Sequence, residues 1–130
     1  MEACHDRSIL IMNDFLDSLG ALDGTRAIDI AGGDGRVIKH LLRKRYSAVD
    51  CFDMCMESVK ILEELRKNLE CIEDVDQADM KSFEWQHQYS GIFLRWCIGY
   101  LTDEQLVDFL QLASAHLIPS RHRQTRSSRP

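Results

Sequence analysis

Arg26-Ala-Ile-Asp-Ile-Ala-Gly-Gly-Asp-Gly-Arg36 decides how this 130-residue chain is read. Strand-like residues 27–30 run into small residues at 31, 32, 33 and 35, after which Val37, Leu41 and Leu42 recur on one helical face. Glycines in such a turn let backbone approach a ligand closely, because they carry no obstructing side chain and tolerate positive φ. The stretch has the form of a nucleotide-type cofactor loop between a strand and a helix. A second strand-like run ends in Val49-Asp-Cys-Phe-Asp53. Asp53 lies eighteen residues beyond Gly35, about the interval at which a ribose-binding carboxylate follows such a loop. It reads either as that carboxylate or as the N-cap of a helix over 56–69.

The dinucleotide fingerprint Gly-x-Gly-x-x-Gly fails here, since Ile38 stands where the third glycine belongs. What remains is Asp29-x-Ala31-x-Gly33-x-Gly35, an acid followed by small-x-Gly-x-Gly. This resembles the first motif of class I methyltransferases that use S-adenosylmethionine. A further run, Ile92-Phe-Leu-Arg-Trp-Cys-Ile-Gly-Tyr-Leu-Thr-Asp103 with the helical pattern over 104–117, narrows the resemblance. It is similar to the fourth strand and next helix of the protein alpha-N-terminal methyltransferases. That family methylates the α-amine exposed when the initiator methionine is removed, usually on chains beginning Xaa-Pro-Lys. The Trp-x-Ile-Gly-x-Leu-Thr-Asp run is the specific part, and the matches span roughly residues 26–118.

The resemblance implies an α/β, Rossmann-like fold, with a parallel sheet of about four strands in the order 3-2-1-4 flanked by helices. Strands alternating with helices give the same parallel reading. The expected elements are a helix over 6–19, strand 26–31, helix 35–45, strand 47–53, helix 56–69, strand 70–75, strand 89–95 and helix 103–117. The ligand crevice belongs at the carboxyl ends of strands one and four, where the order reverses. The resemblance places S-adenosyl-L-methionine on Asp29, Ala31, Gly32, Gly33, Gly35 and Arg36, on Asp53, Met54 and Cys55, on Asp79 and Met80, and on Arg95. Trp96 and Tyr100 would line the substrate channel, and the N-terminal helix would cover the cofactor. Asp79 would accept from the adenine amino group, or else begin a turn.

The chain departs from the family pattern at several of these positions. Ala31 replaces the loop's first glycine, adding a methyl near the cofactor's methionine moiety. Arg95 stands where the family has glutamine, and an arginine beside a sulfonium would favour the neutral-sulfur product. Cys55 replaces a threonine and Tyr100 a histidine. The family continues into a fifth strand bearing an Asp-Asn pair that holds the substrate amine, and no residue of 1–130 matches that pair. A C-terminally truncated domain is therefore expected, with residues 1–119 methyltransferase-like (core 26–118) and 120–130 a disordered basic tail. The leading expectation is methyl transfer to a protein N-terminal amine. The alternatives are a non-catalytic homologue, acting as weak cofactor binder or partner subunit, and a small-molecule methyltransferase.

Composition adds limits. Hydrophobic residues at 45% and charged residues at 28% are ordinary for one globular domain. No apolar run reaches the length of a membrane span and no secretory signal opens the chain, so a cytoplasmic or nuclear location and no membrane partner are expected. Cys4, Cys51, Cys55, Cys71 and Cys97, odd in number, read as reduced thiols. Neither they nor His5, His40, His87, His116 and His122 have metal-ligand spacing, and no metal is expected. Residues 1–119 carry 12 bases against 21 acids. That acidity disfavours nucleic acid and suits a basic peptide, or merely keeps the chain soluble. A four-stranded sheet would leave strand 89–95 as an apolar edge open to self-association.

Overall fold

In the computed structural model, which describes residues 2–19, 24–94 and 101–119, the chain alternates strand and helix as its hydrophobic pattern requires. After helix α1 (Glu2–Leu19) come β1 (Gly24–Ile30), α2 (Arg36–His40), a 3-10 turn (Leu42–Lys44) and β2 (Tyr46–Asp53). These are followed by α3 (Met56–Asn68), β3 (Ile72–Gln77), β4 (Gly91–Leu94) and α4 (Asp103–Ala115). All strand pairings within the sheet are parallel, in the order β3-β2-β1-β4.

Successive side chains of a strand point to opposite faces, and both faces of this sheet are covered. Ala27, Val49, Cys51 and Ile72 pack on one side with Val37, Ile38, Leu41, Leu42 and Leu62, joined by Ile9 and Leu16 of α1. Ile28, Ile30 and Phe52 face the other side, under Phe109 and Ala113 of α4 and beside Tyr89. Helix α1 is tied to the chain entering β2 by Arg45, whose guanidinium donates to Asp17 at 2.6 Å and to Asn13. A capping box between Thr102 and Gln105 starts α4.

Several boundaries differ from the sequence expectation. The helix expected over 35–45 ends at His40 because Leu41, at φ −127°, leaves helical geometry, and a 3-10 turn still buries Leu42. The third strand begins at Ile72 rather than 70, since 69–71 form a turn closed by Ile72 N–H to Leu69 O at 3.2 Å. Helix α1 starts at Glu2. Tyr89 precedes β4 and forms one parallel rung with Leu117, donating to His116 O and accepting from Ile118 N–H, both at 2.7 Å.

Asp50 is a carboxylate inside the sheet, 2% exposed. A charge is rarely buried without partners, and here both oxygens are filled. Oδ1 accepts from Arg26 Nη2 at 2.8 Å and from the Asp74 backbone N–H at 3.0 Å, while Oδ2 accepts from Arg26 Nε at 2.8 Å and from the Tyr89 hydroxyl at 2.7 Å. The pairing of β2 with β3 shifts register between Val49 and Cys51, so β3 carries an extra residue there. Such a bulge leaves a ladder group unpaired, and Asp50 takes the Asp74 N–H at that level. Burial works against the Arg26 charge, yet the hydrogen bond and charge of Asp50 outweigh it and raise the Arg26 pKa.

Asp50→Ala should cost about 3–5 kcal/mol, because it leaves Arg26, the Asp74 N–H and the Tyr89 hydroxyl without their shared acceptor; Tyr89→Phe should cost about 1.5 kcal/mol. Denaturant titration checks both, and equal small losses would remove Asp50 from its central place. Burial, then the Asp50 hydrogen bond, raises the Tyr89 pKa, and burial raises that of the Cys51 thiol. The folded state therefore keeps protons that the unfolded chain releases above the ordinary values of ~8.5 for cysteine and ~10 for tyrosine. Stability should be complete below that range and fall as pH rises through it, and Tyr89→Phe should lack the tyrosine part of the fall.

Candidate functional site

The loops leaving β1, β2 and β3 at their carboxyl ends enclose a cavity of about 580 Å³, within the usual size for a small-molecule or cofactor site. After β1 the chain turns sharply through three residues with positive φ, Ala31 at +56°, Gly33 at +61° and Gly35 at +80°. Gly32 N–H donates to Phe52 O at 3.0 Å, which seats the loop against β2. A Cβ on Gly33 would meet nothing within 4 Å, so that backbone faces open space.

Three aspartates close these loops in one way. Asp34 Oδ1 accepts from Arg36 N–H at 3.1 Å, Asp53 Oδ1 from Cys55 N–H at 2.9 Å, and Asp79 Oδ1 from Lys81 N–H at 2.9 Å. Each side chain thus caps the backbone two residues on, as short polar residues do in turns. In the first and third, the residue two on is a cation near the second oxygen: Arg36 Nε at 3.8 Å from Asp34 and Lys81 Nζ at 3.9 Å from Asp79. The Asp53 Oδ2 instead accepts from Gly33 N–H at 2.9 Å, across from the glycine loop. Asp53 is not the N-cap of α3. Cys55 holds that position, with no side-chain cap bond.

Asp29, Ala31, Gly32, Gly33 and Arg36 line the cavity, as do Asp53, Met54, Cys55, Asp79 and Met80. Gly35 does not. It lies buried beneath the loop, where a Cβ would come within 2.5 Å of Leu65 Cδ2 on α3, so it serves the turn and helix packing. Arg95, Trp96 and Tyr100 lie outside the described residues. No described α1 residue lines the cavity, so the cover expected from the N-terminal helix is not found there. The Asp79 turn is real, since Ser82 N–H also donates to Asp79 O, and the same carboxylate lies on the wall.

Sequence reading missed Asp34, Lys81, Val37, Phe52, Ala78 and Leu101, which complete the lining. The Asp-x-Arg and Asp-x-Lys spacings at two loop tips were the available signal for Asp34 and Lys81. Phe52 is held by stacking on Phe83, with ring centres 4.1 Å apart. Trp85, for which the sequence offered no partner, touches Phe83, Tyr89, Phe109 and His116 and locks the loop before β4 onto α4. Asp50, Asp74 and His87 bring one possible metal-ligand atom each within 4.8 Å of one another, a grouping that sequence spacing did not reveal. With every Asp50 oxygen already accepting two hydrogen bonds and Arg26 alongside, their chemistry is that of an ion-paired network. Among the described residues, no helix is long and apolar enough to cross a membrane.

A family model described as AdoMet dependent proline di-methyltransferase matches residues 5–121. The N-terminal Xaa-Pro-Lys N-methyltransferase 1 of Danio rerio is 33% identical over 95 residues, covering 72% of this chain and 43% of the relative. The Alpha N-terminal protein methyltransferase 1 of Caenorhabditis elegans is 31% identical over 125 residues, covering 91% of this chain and 53% of the relative. Thus the chain spans about half the length of these relatives. A solved SAM-dependent methyltransferase of Leishmania major superposes with a TM-score of 0.85 at 27% identity, over 92% of this chain and 48% of that one.

Left-handed backbone costs an L-residue roughly 1–2 kcal/mol, and Ala31 bears that cost while Gly33 and Gly35 do not. Ala31→Gly should therefore raise stability, by up to about 1 kcal/mol after the entropy that glycine adds to the unfolded chain. Gly35→Ala should lower it by more than that, through the same backbone strain plus the Leu65 contact. Thermal melts of the two variants should move in opposite directions, and a shared direction would contradict this backbone reading.

Proposed function

The chain belongs to the AdoMet-dependent proline di-methyltransferase family, and from that membership we propose that this cavity holds S-adenosylmethionine for methyl transfer to the N-terminal α-amine of a protein. Residues 1–130, which span about half the length of the relatives they match, would supply the cofactor-binding part of that activity. The residue types present suit the group. Asp53 has one hydrogen bond on each oxygen, leaving further lone pairs for two adjacent ribose hydroxyls. Phe52, Met80, Val37 and Leu101 give apolar wall for a flat ring, and the bare Gly33 backbone leaves room beside Asp53.

The observation that carries this reading is the Gly33 N–H to Asp53 bond. It makes the glycine loop and the acid of the next strand a single preformed unit facing one cavity. When bound, the cofactor supplies a methyl carbon made electrophilic by its sulfonium. The chain's task is then to hold the cofactor still, since in-line displacement depends mainly on approach and alignment. Asp53 would fix the ribose and Asp79 the adenine amino group, with Arg36 facing the carboxylate of the methionine moiety. Arg95, Trp96 and Tyr100 are proposed for the sulfur end and for the substrate channel.

The name of the Danio rerio relative points to a substrate beginning Xaa-Pro-Lys, and that class is the one proposed here. Among the described residues no strand pairs with the outer side of β4, and the neighbouring Tyr89–Leu117 rung lies just before it, so we also propose self-association along 92–94. Sedimentation showing only monomer would end that proposal.

Calorimetric titration with S-adenosylmethionine is expected to show one site. Asp53→Ala should weaken binding by roughly 1.5–3 kcal/mol, the range for hydrogen bonds to a charged group. Unchanged affinity in that variant would take Asp53 out of the site, and no binding to the unsubstituted chain would overturn the assignment. Methyl transfer from labelled cofactor to a peptide beginning Pro-Lys tests the reaction.

A further inference from the structure

Asp79 and Met80 stand on the cavity wall within a turn that bonds only to itself. Among the described residues, the hydrogen bonds of 79–82 run from Lys81 N–H to Asp79 Oδ1 at 2.9 Å and from Ser82 N–H to Asp79 O at 3.0 Å. They make the turn a unit but do not place it. Placement comes from its flanks. On one side Ala78 N–H donates to Asp53 O at 3.1 Å. On the other, the Phe83 ring stacks on Phe52, with centres 4.1 Å apart and planes 12° from parallel. Met80 packs on the same apolar cluster, but an unbranched thioether adapts its shape and fixes little.

Phe83 is held on a second side. Trp85 meets it edge to face, with centres 5.2 Å apart, and stacks in turn on His116 at the end of α4, at 5.3 Å and 20°. Buried Phe52 gives its ring to Phe83 and its carbonyl to Gly32 N–H, so one residue of β2 seats both the turn after β3 and the glycine loop after β1. Aromatic pairs have specific geometry, which a branched aliphatic chain does not reproduce. Phe52 lines the cavity, and Phe83 stands behind it without lining it.

We propose that Phe83 is a positioning residue for base recognition. Clamped between Phe52 and Trp85, it sets the distance from the Asp79 carboxylate to the base, and with it the preference for adenine over a base that lacks the amino group. This rests on the assignment of S-adenosylmethionine to the cavity and of Asp79 to its adenine amino group. Hypoxanthine is the discriminating comparison, because it carries a carbonyl oxygen where adenine has that amino group. Facing Asp79, the oxygen accepts where a donor is needed. Hydrogen bonds weaken steeply as geometry departs from ideal, so a turn displaced by about an ångström keeps its apolar contact with the base yet loses the choice between the two.

The test is calorimetric titration with S-adenosylhomocysteine and with S-inosylhomocysteine, the same ligand carrying hypoxanthine. The unsubstituted protein should prefer the adenine form by about tenfold or more, as one hydrogen bond to a charged group provides. Asp79→Ala should bring that ratio close to one. Phe83→Leu should bring it below about threefold while thermal melting stays cooperative, and Phe83→Tyr, which keeps the stack, should retain the full ratio. If Phe83→Leu does not melt cooperatively, Phe83→Met, an unbranched apolar chain, takes its place with the same expectation. A variant that weakens both ligands equally, with their ratio intact, makes Phe83 a residue of general packing and overturns the proposal while the cofactor assignment stands. A ratio near one in the unsubstituted protein removes Asp79 from the base and overturns the proposal with it. Failure of both ligands to bind overturns the cofactor assignment as well.

Discussion

The Asp50 carboxylate is the interaction on which the sheet depends. It sits on β2, takes Arg26 from β1 and the Asp74 N–H from β3, and receives the Tyr89 hydroxyl from the segment leading into β4. One buried anion on β2 therefore ties in β1, β3 and the segment just before β4. Its desolvation would be prohibitive alone, and it is tolerable because a guanidinium in fork geometry and two further donors fill it. The bulge in β3 belongs to the same arrangement, since the extra residue turns the Asp74 N–H toward that carboxylate. Register fixed at this level sets where the strands end, and hence where their loops meet.

Three residues further along β2, Asp53 works in the opposite sense. Asp50 is buried and saturated, whereas Asp53 lies at the strand end, half-buried, with one acceptor position used on each oxygen. The first holds the scaffold and the second remains available to the cavity. The turn aspartates on either side, Asp34 and Asp79, repeat the local bond to the backbone two residues on. The cavity wall is thus built from one device used three times, on three successive strands.

Much of this is legible in the sequence. The glycine loop, the acid at the end of the second strand and the alternation of apolar segments gave the parallel order, because each rests on local periodicity or spacing. Periodicity carries the helix after the loop to 45, since 37, 38, 41 and 42 are all apolar, and does not register the break at Leu41. Asp50 looks in sequence like one polar residue in an apolar strand, although a charge at a buried parallel-strand position calls for a partner. Arg26, Asp74 and Tyr89 come from distant parts of the chain, and no short-range pattern joins them. The place of Trp85 is hidden for the same reason, its four ring partners spanning 83–116. At the site, residues supplying a carboxylate or bare backbone were found, while Phe52, Ala78 and Leu101, which supply only surface, look in sequence like any core residue.

The position of β1 between β2 and β4 has a consequence in the order of assembly. β1 pairs with β2 across one short helix and turn, and β2 pairs with β3 across the next, so these contacts close brief loops. β4 reaches the other edge of β1 only after the whole intervening chain is laid down, and Ala27 then meets Gly91. Loop-closure entropy grows slowly with the length enclosed, so made directly this pairing carries the largest closure cost of the three, whereas prior pairing of β1 with β2 and of β2 with β3 shortens the loop left to close to 78–90. Tyr89 arrives with it. Until then Asp50 has only Arg26 and Asp74, and its last acceptor position waits for the segment that completes the sheet.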